Sequence, residues 1–147
     1  MSAVSEIMSA KKIISLKAES DPSILDATRL MLRNKIGSIV MVNREGRPVG
    51  ILTERDVLRK ALTARKMLSE IKAKDVMSSP VITIKAFDSV EAAASVMTKK
   101  KIKRLVVLEQ DGSMAGVISL SDITKKLAKI LTDEHNRFSS LKILLEH

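Results

Sequence analysis

Apolar residues recur along this chain in two rhythms, and the rhythms follow one another in the same order twice. Short apolar runs at 13–16 and 81–84 read as strands, because β-branched residues dominate them. After the first run Ile24, Ala27 and Met31 fall three and four apart, and after the second Val90, Ala93 and Met97 do the same. That spacing places each trio on one helical face. Asp21 and Asp88 are expected to cap these helices, with Pro22 in the first turn of one and Glu91 completing a capping box in the other. Two further apolar runs follow in each half, 39–42 with 49–53 and 105–108 with 116–119. They are joined around Arg44-Glu45-Gly46 and Asp111-Gly112, where glycine supplies the positive φ of a tight turn, so each pair is predicted to be an antiparallel hairpin. A second helix, about 56–63 and about 122–131, closes each half. The predicted order is β-α-β-β-α, written twice, an α+β unit.

Direct alignment of the halves supports duplication. Glu6-Ile7-Met8-Ser9 matches Asp75-Val76-Met77-Ser78 at an offset of 69, whereas Gly46 with Gly112, Gly50 with Gly116 and Asp56 with Asp122 match at 66. The second offset holds without a gap from Ile24 to Asp56, which places about three extra residues of the first copy around 20–23. We therefore read residues 1–65 as the first repeat, 66–74 as a connector, 75–131 as the second repeat and 132–147 as a helical tail. The connector contains neither Gly nor Pro and is predicted to be helical, holding the copies together. In the tail, Phe138, Leu141 and Leu144 lie at helical spacing, which suits either a dimer contact or a frayed end. Leu145, Glu146 and His147 read as the stub of an affinity tag.

Composition narrows the chemistry. With 45% hydrophobic and 29% charged residues in a chain of 147, the protein is globular, and neither half is large enough to fold well alone. The chain has no Cys, and its only imidazoles are His135 and His147, so no metal site and no nucleophile–base pair is expected. The glycine spacing at 46–50 and 112–116 does not fit a phosphate-binding P-loop. The reading is of a protein that is not an enzyme. No apolar run approaches a membrane span and no signal-peptide core is visible, so a cytoplasmic protein without membrane contact is expected. The net charge of +9 fits a Lys-rich solvated surface and also fits a nucleic-acid partner; Phe87 and Phe138 are the only rings available for stacking on bases.

The stretches that carry chemistry are Gly50-Ile51-Leu52-Thr53-Glu54-Arg55-Asp56 and Gly116-Val117-Ile118-Ser119-Leu120-Ser121-Asp122. Each places a hydroxyl at a strand end and a carboxylate three residues later at a helix start. Helix capping alone would account for the pair. The same geometry also suits an adenosine ligand, since the carboxylate can accept from both ribose hydroxyls while the hydroxyl and free N–H groups meet phosphate. Ile14, Ile39, Ile82 and Leu105 are candidates to flank a purine.

Across roughly 4–131 the pattern resembles a tandem pair of cystathionine-β-synthase (CBS) domains, the regulatory Bateman module, on its Asp-or-Glu-x-Met-Ser starts and its Gly-x-x-Thr/Ser-x-x-Asp strand ends. The resemblance implies two sheets packed across a pseudo-twofold axis, with two clefts able to hold AMP, ADP, ATP or S-adenosylmethionine and no obligatory cofactor. It implies that Asp56 and Asp122 bind ribose, and that Thr53, Ser119 and Ser121 contact ribose or phosphate. Arg55 and Arg104 are the leading phosphate cations, and Leu120-Ser121 in place of Glu54-Arg55 predicts unequal clefts. Val40 and Val106 stand where the family often has Pro. It implies further a homodimer acting on an effector protein. The alternative is a basic interaction protein that binds nucleic acid on a CBS scaffold.

Overall fold

Two three-stranded sheets, one per half, organise the computed structural model, which describes residues 2–8 and 14–146. The elements are α1 (Val4–Ile7), β1 (Ser15–Lys17), α2 (Ile24–Asn34), β2 (Ser38–Val42), β3 (Pro48–Thr53), α3 (Glu54–Asp56), α4 (Ala73–Val76), β4 (Thr83–Lys85), α5 (Val90–Lys100), β5 (Arg104–Leu108), β6 (Met114–Ser119) and α6 (Leu120–Glu146). In each sheet the first strand runs parallel to the second, and the second pairs antiparallel with the third across the expected hairpin. Gly46 and Gly112 turn the hairpins with φ of 77° and 86°, as the turn requires. The first strands begin later than the apolar runs suggested, and Ile13, like Ser9 of the first start motif and His147, lies outside the described residues.

Alternation along the middle strands divides the molecule into three cores. Ile39 and Met41 face α2, while Leu105 and Val107 face α5, and each set closes a core within one half. Val40, Val42 and Val106 point the other way and meet in a third core between the two sheets. The first helical trio, Ile24, Ala27 and Met31, is buried as the spacing predicts, whereas in the second Ala93 and Met97 are buried and Val90 is only half-buried.

The caps differ from the expectation. Ser23 and Ser89 cap α2 and α5, their hydroxyls accepting from the Asp26 and Ala92 N–H groups, each at 3.1 Å. Asp26 returns the bond from the Ser23 N–H at 3.0 Å, and that bond holds its carboxyl below the ordinary 3.8. The chain reaches the first cap through a 3-10 turn at Ala18–Ser20 that leaves Asp21 in the left-handed region, so Pro22 precedes the helix. Asp21 pairs with Lys72 instead, whose hydrogen bond lowers its carboxyl pKa. Asp88 accepts from the Lys85 N–H, and Glu91 lies in the first turn of α5 without completing a capping box. Residues 18–23 join β1 to α2 where 86–89 suffice in the second copy, which accounts for part of the extra length.

The starts of the two repeats are exchanged. Val4 is buried in the second core and its N–H donates to the Asp88 carbonyl at 2.8 Å; the equivalent Ala73 is buried in the first core and donates to the Pro22 carbonyl at 2.9 Å. Ser78 exchanges backbone bonds of 3.0 and 2.8 Å with Ile51, and Met77 packs over Gly50 closely enough to leave no room for a Cβ there. The Met-Ser motif and the strand-end glycine therefore meet across the repeat boundary. The connector is not the helix that its composition predicts: it makes a 3-10 turn at Leu68–Glu70 and an isolated bridge from Lys72 to Ser23 before α4. Backbone pairing with the first half outweighs helix propensity. Past the strands the copies diverge. The first continues from α3 into a π-helical turn at Val57–Ala61, whereas α6 runs 27 residues without the break expected near Leu131. Thr132 sits inside that helix with its hydroxyl donating to the Ala128 carbonyl.

Candidate functional site

Thr53 and Ser119 end β3 and β6 and cap the helices that follow. Their hydroxyls accept from the Asp56 and Asp122 N–H groups at 3.2 Å, and the carboxylates accept in return from the Thr53 and Ser119 N–H groups at 3.0 and 2.9 Å. These capping boxes use Oδ2 of each carboxylate; among the described residues no hydrogen bond engages Oδ1. Capping and ligand binding are thus compatible, because the cap holds the side chain while one oxygen stays available. Both carboxylates are half-buried and line clefts.

Each cleft is built by both halves. The first, of about 200 Å³, joins Thr53, Arg55 and Asp56 of the first copy to Ser78, Pro80, Ile82 and the stretch 101–104 with Val106 of the second. The second, of about 250 Å³, joins Ser119, Ser121 and Asp122 to Ile14, the stretch 35–38 and Val40. This reciprocity is the pseudo-twofold relation seen from the site. Its cause is the sheet packing, which lays the end of one hairpin against the beginning of the other. An open groove of about 490 Å³ along the start of α6 adjoins the second cleft and shares Arg104, Ser119, Ser121 and Lys125 with it.

The structure gathers nine of the eleven residues expected from sequence into the clefts: Thr53, Arg55, Asp56, Ile82 and Arg104 at the first, and Ile14, Arg104, Ser119, Ser121 and Asp122 at the second. Ile39 and Leu105 must be corrected. Both are 0% exposed in the cores beneath α2 and α5, because a one-residue step along a strand turns the side chain to the opposite face. Val40 and Val106, on the opposite face, border the floors of the clefts while remaining 1% and 0% exposed in the core between the sheets.

Sequence reasoning also missed Lys35 and Lys101. These equivalent residues end α2 and α5 in the left-handed conformation, φ 54° and 55°, where glycine is the usual choice, and each lines a cleft. Holding a lysine there costs about 1 kcal/mol. Their recurrence at the repeat offset was the available signal. Cations outnumber carboxylates in both clefts: Arg55, Lys101, Lys103 and Arg104 against Asp56, and Lys35, Arg104 and Lys125 against Asp122.

Fold and site together define a class, a duplicated β/α module with ligand clefts at the seam between its copies. The CBS domain profile matches residues 4–63 and 73–129, and the chain belongs to the CBS-domain family. Among its relatives is MK0525 of Methanopyrus kandleri, 39% identical over 93 residues, which are 63% of this chain and 47% of that protein. The matched region thus spans about half of that relative's length. A solved CBS domain protein of Pyrobaculum aerophilum, PAE2072, is 31% identical with a TM-score of 0.73, covering 82% of this chain and 89% of that one. The CBS pair of MJ0100 is 25% identical with a TM-score of 0.73, covering 86% and 99%. Among the described residues, no helix is long and apolar enough to cross a membrane.

Proposed function

We propose that this chain is a regulatory module that senses adenosine-containing nucleotides in its two clefts and has no catalytic role of its own. The observation that carries this reading is the duplicated arrangement of a carboxylate with an available oxygen, a capping hydroxyl and a surplus of cations around a cleft with an isoleucine in its wall. The carboxylate suits a ribose diol, the half-buried Ile82 and Ile14 at the cleft walls suit a purine, and the cations suit phosphate. PAE2072 was solved as a complex with AMP, and MJ0100 with 5′-methylthioadenosine and S-adenosylmethionine, which supports an adenosine ligand here. The cationic clefts favour AMP, ADP or ATP over S-adenosylmethionine, whose sulfonium they repel. The setting proposed is the cytoplasm, with the bound nucleotide altering contacts to an effector protein.

Isothermal titration of the nucleotide-stripped protein with each of the four ligands tests the reading. Saturable heat with AMP, ADP or ATP, exceeding that with S-adenosylmethionine, is the expected result. No heat from any of them removes it, and a salt-sensitive shift with RNA in its place favours the nucleic-acid alternative.

The proposed assembly is a homodimer. Leu127, Leu131 and Phe138 are 54%, 62% and 67% exposed along α6, an apolar stripe that a second copy would cover. Light scattering is expected to give twice the 16.2 kDa chain mass, falling toward one chain in Leu127→Glu/Phe138→Glu. A wild-type mass of one chain overturns it.

A further inference from the structure

Positions 38 and 104 are equivalent in the two copies. Each opens the first strand of a hairpin and pairs with the hydroxyl residue that ends the second: Ser38 with Thr53, and Arg104 with Ser119. Ser38 lines the second cleft and not the cleft of Thr53. Arg104 lines both clefts. Its Nη2 lies 2.8 Å from the point where a Cβ would stand on Gly37, itself a lining residue of the second cleft, and a Glu54 carboxylate oxygen approaches the same point to 3.6 Å.

The need for a cation common to both clefts is visible in the repeat. Where the first cleft has Arg55, Lys103 and Arg104, the equivalent positions of the second are Ser121, Gly37 and Ser38. Three positions that are cationic in the first cleft are neutral in the second, and Arg104 makes up part of the deficit from next door. We propose that Arg104 is a shared phosphate-binding residue that serves a ligand in either cleft, a role that rests on the nucleotide reading above. A guanidinium is suited to it, since its five N–H donors are spread over a planar fork with more than one edge to offer. The two clefts then form one electrostatic unit, in which the phosphate of each ligand lies near the same cation.

The test is titration of the stripped full-length protein with AMP, in wild type, R55Q and R104Q, with circular dichroism to confirm that each variant folds. The wild type is expected to bind two AMP per chain. R55Q weakens one of the two events about tenfold and spares the other, whereas R104Q weakens both by a similar factor. Adenosine, which lacks phosphate, is expected to bind wild type and R104Q equally. One AMP per chain, an R104Q protein that loses affinity at a single cleft or at neither, or an equal loss for adenosine overturns the shared role while leaving the nucleotide reading in place. If wild type binds no AMP, ADP or ATP at all, it is the nucleotide reading that fails.

Discussion

Asp56→Ala and Asp122→Ala are each expected to weaken AMP binding at one cleft by at least about tenfold, through loss of charge-assisted hydrogen bonds worth about 1.5–3 kcal/mol. The residual cleft in each variant should keep its affinity, because the two carboxylates belong to different cavities. The capping boxes complicate the alanine result in a useful way: Oδ2 of each carboxylate accepts the N–H of Thr53 or Ser119, so truncation also removes the return bond of the box, worth about 1 kcal/mol of stability. Asparagine separates the two roles. Its carbonyl oxygen can still accept the backbone N–H, but its other terminus is an uncharged donor. Asp56→Asn is therefore expected to unfold near the wild-type denaturant midpoint and still lose most of its affinity. Were Asp56→Asn to bind AMP as wild type does, the carboxylate would be a cap only.

Leu105→Ala is expected to lower stability by about 2–5 kcal/mol, the range for emptying a fully buried leucine site. Leu105 is 0% exposed among Ile84, Met97, Val107 and Ile118, away from both clefts. A urea titration should show the midpoint fall with an unchanged slope, and AMP affinity measured under native conditions should hold to within about threefold. Leu105→Val, a smaller truncation, keeps the comparison available if the alanine variant does not fold. A stable Leu105→Ala protein that cannot bind AMP would restore the residue to the purine site and contradict the strand register.

Much of this architecture could be read from the chain. The repeat was visible because glycine, hydroxyl and carboxylate recur at one offset, and the hairpins and their antiparallel sense came from Gly46 and Gly112 at their turns. The pairing of Thr53 with Asp56 and of Ser119 with Asp122 is local, three residues apart, and so its geometry follows from the strand-to-helix junction itself. The helix starts were misjudged where a local signal was duplicated: Asp21 and Ser23 are both good caps, and the choice fell to the turn before them.

What lay beyond the order of residues, apart from the paired sheets that the family resemblance implied, was how the two halves meet. Hydrophobic spacing assigns Ile39 and Val40 equally well to an interior, and nothing in the order of residues says which face of β2 meets a helix and which meets the other sheet. Nor does it say that Met77 belongs over Gly50 of the preceding repeat, or that Ile82 completes the cleft of Asp56. The reason is physical. Local structure is specified by neighbours a few bonds away, whereas a cleft at a seam is specified by which two surfaces exclude water together, and that depends on the whole chain at once.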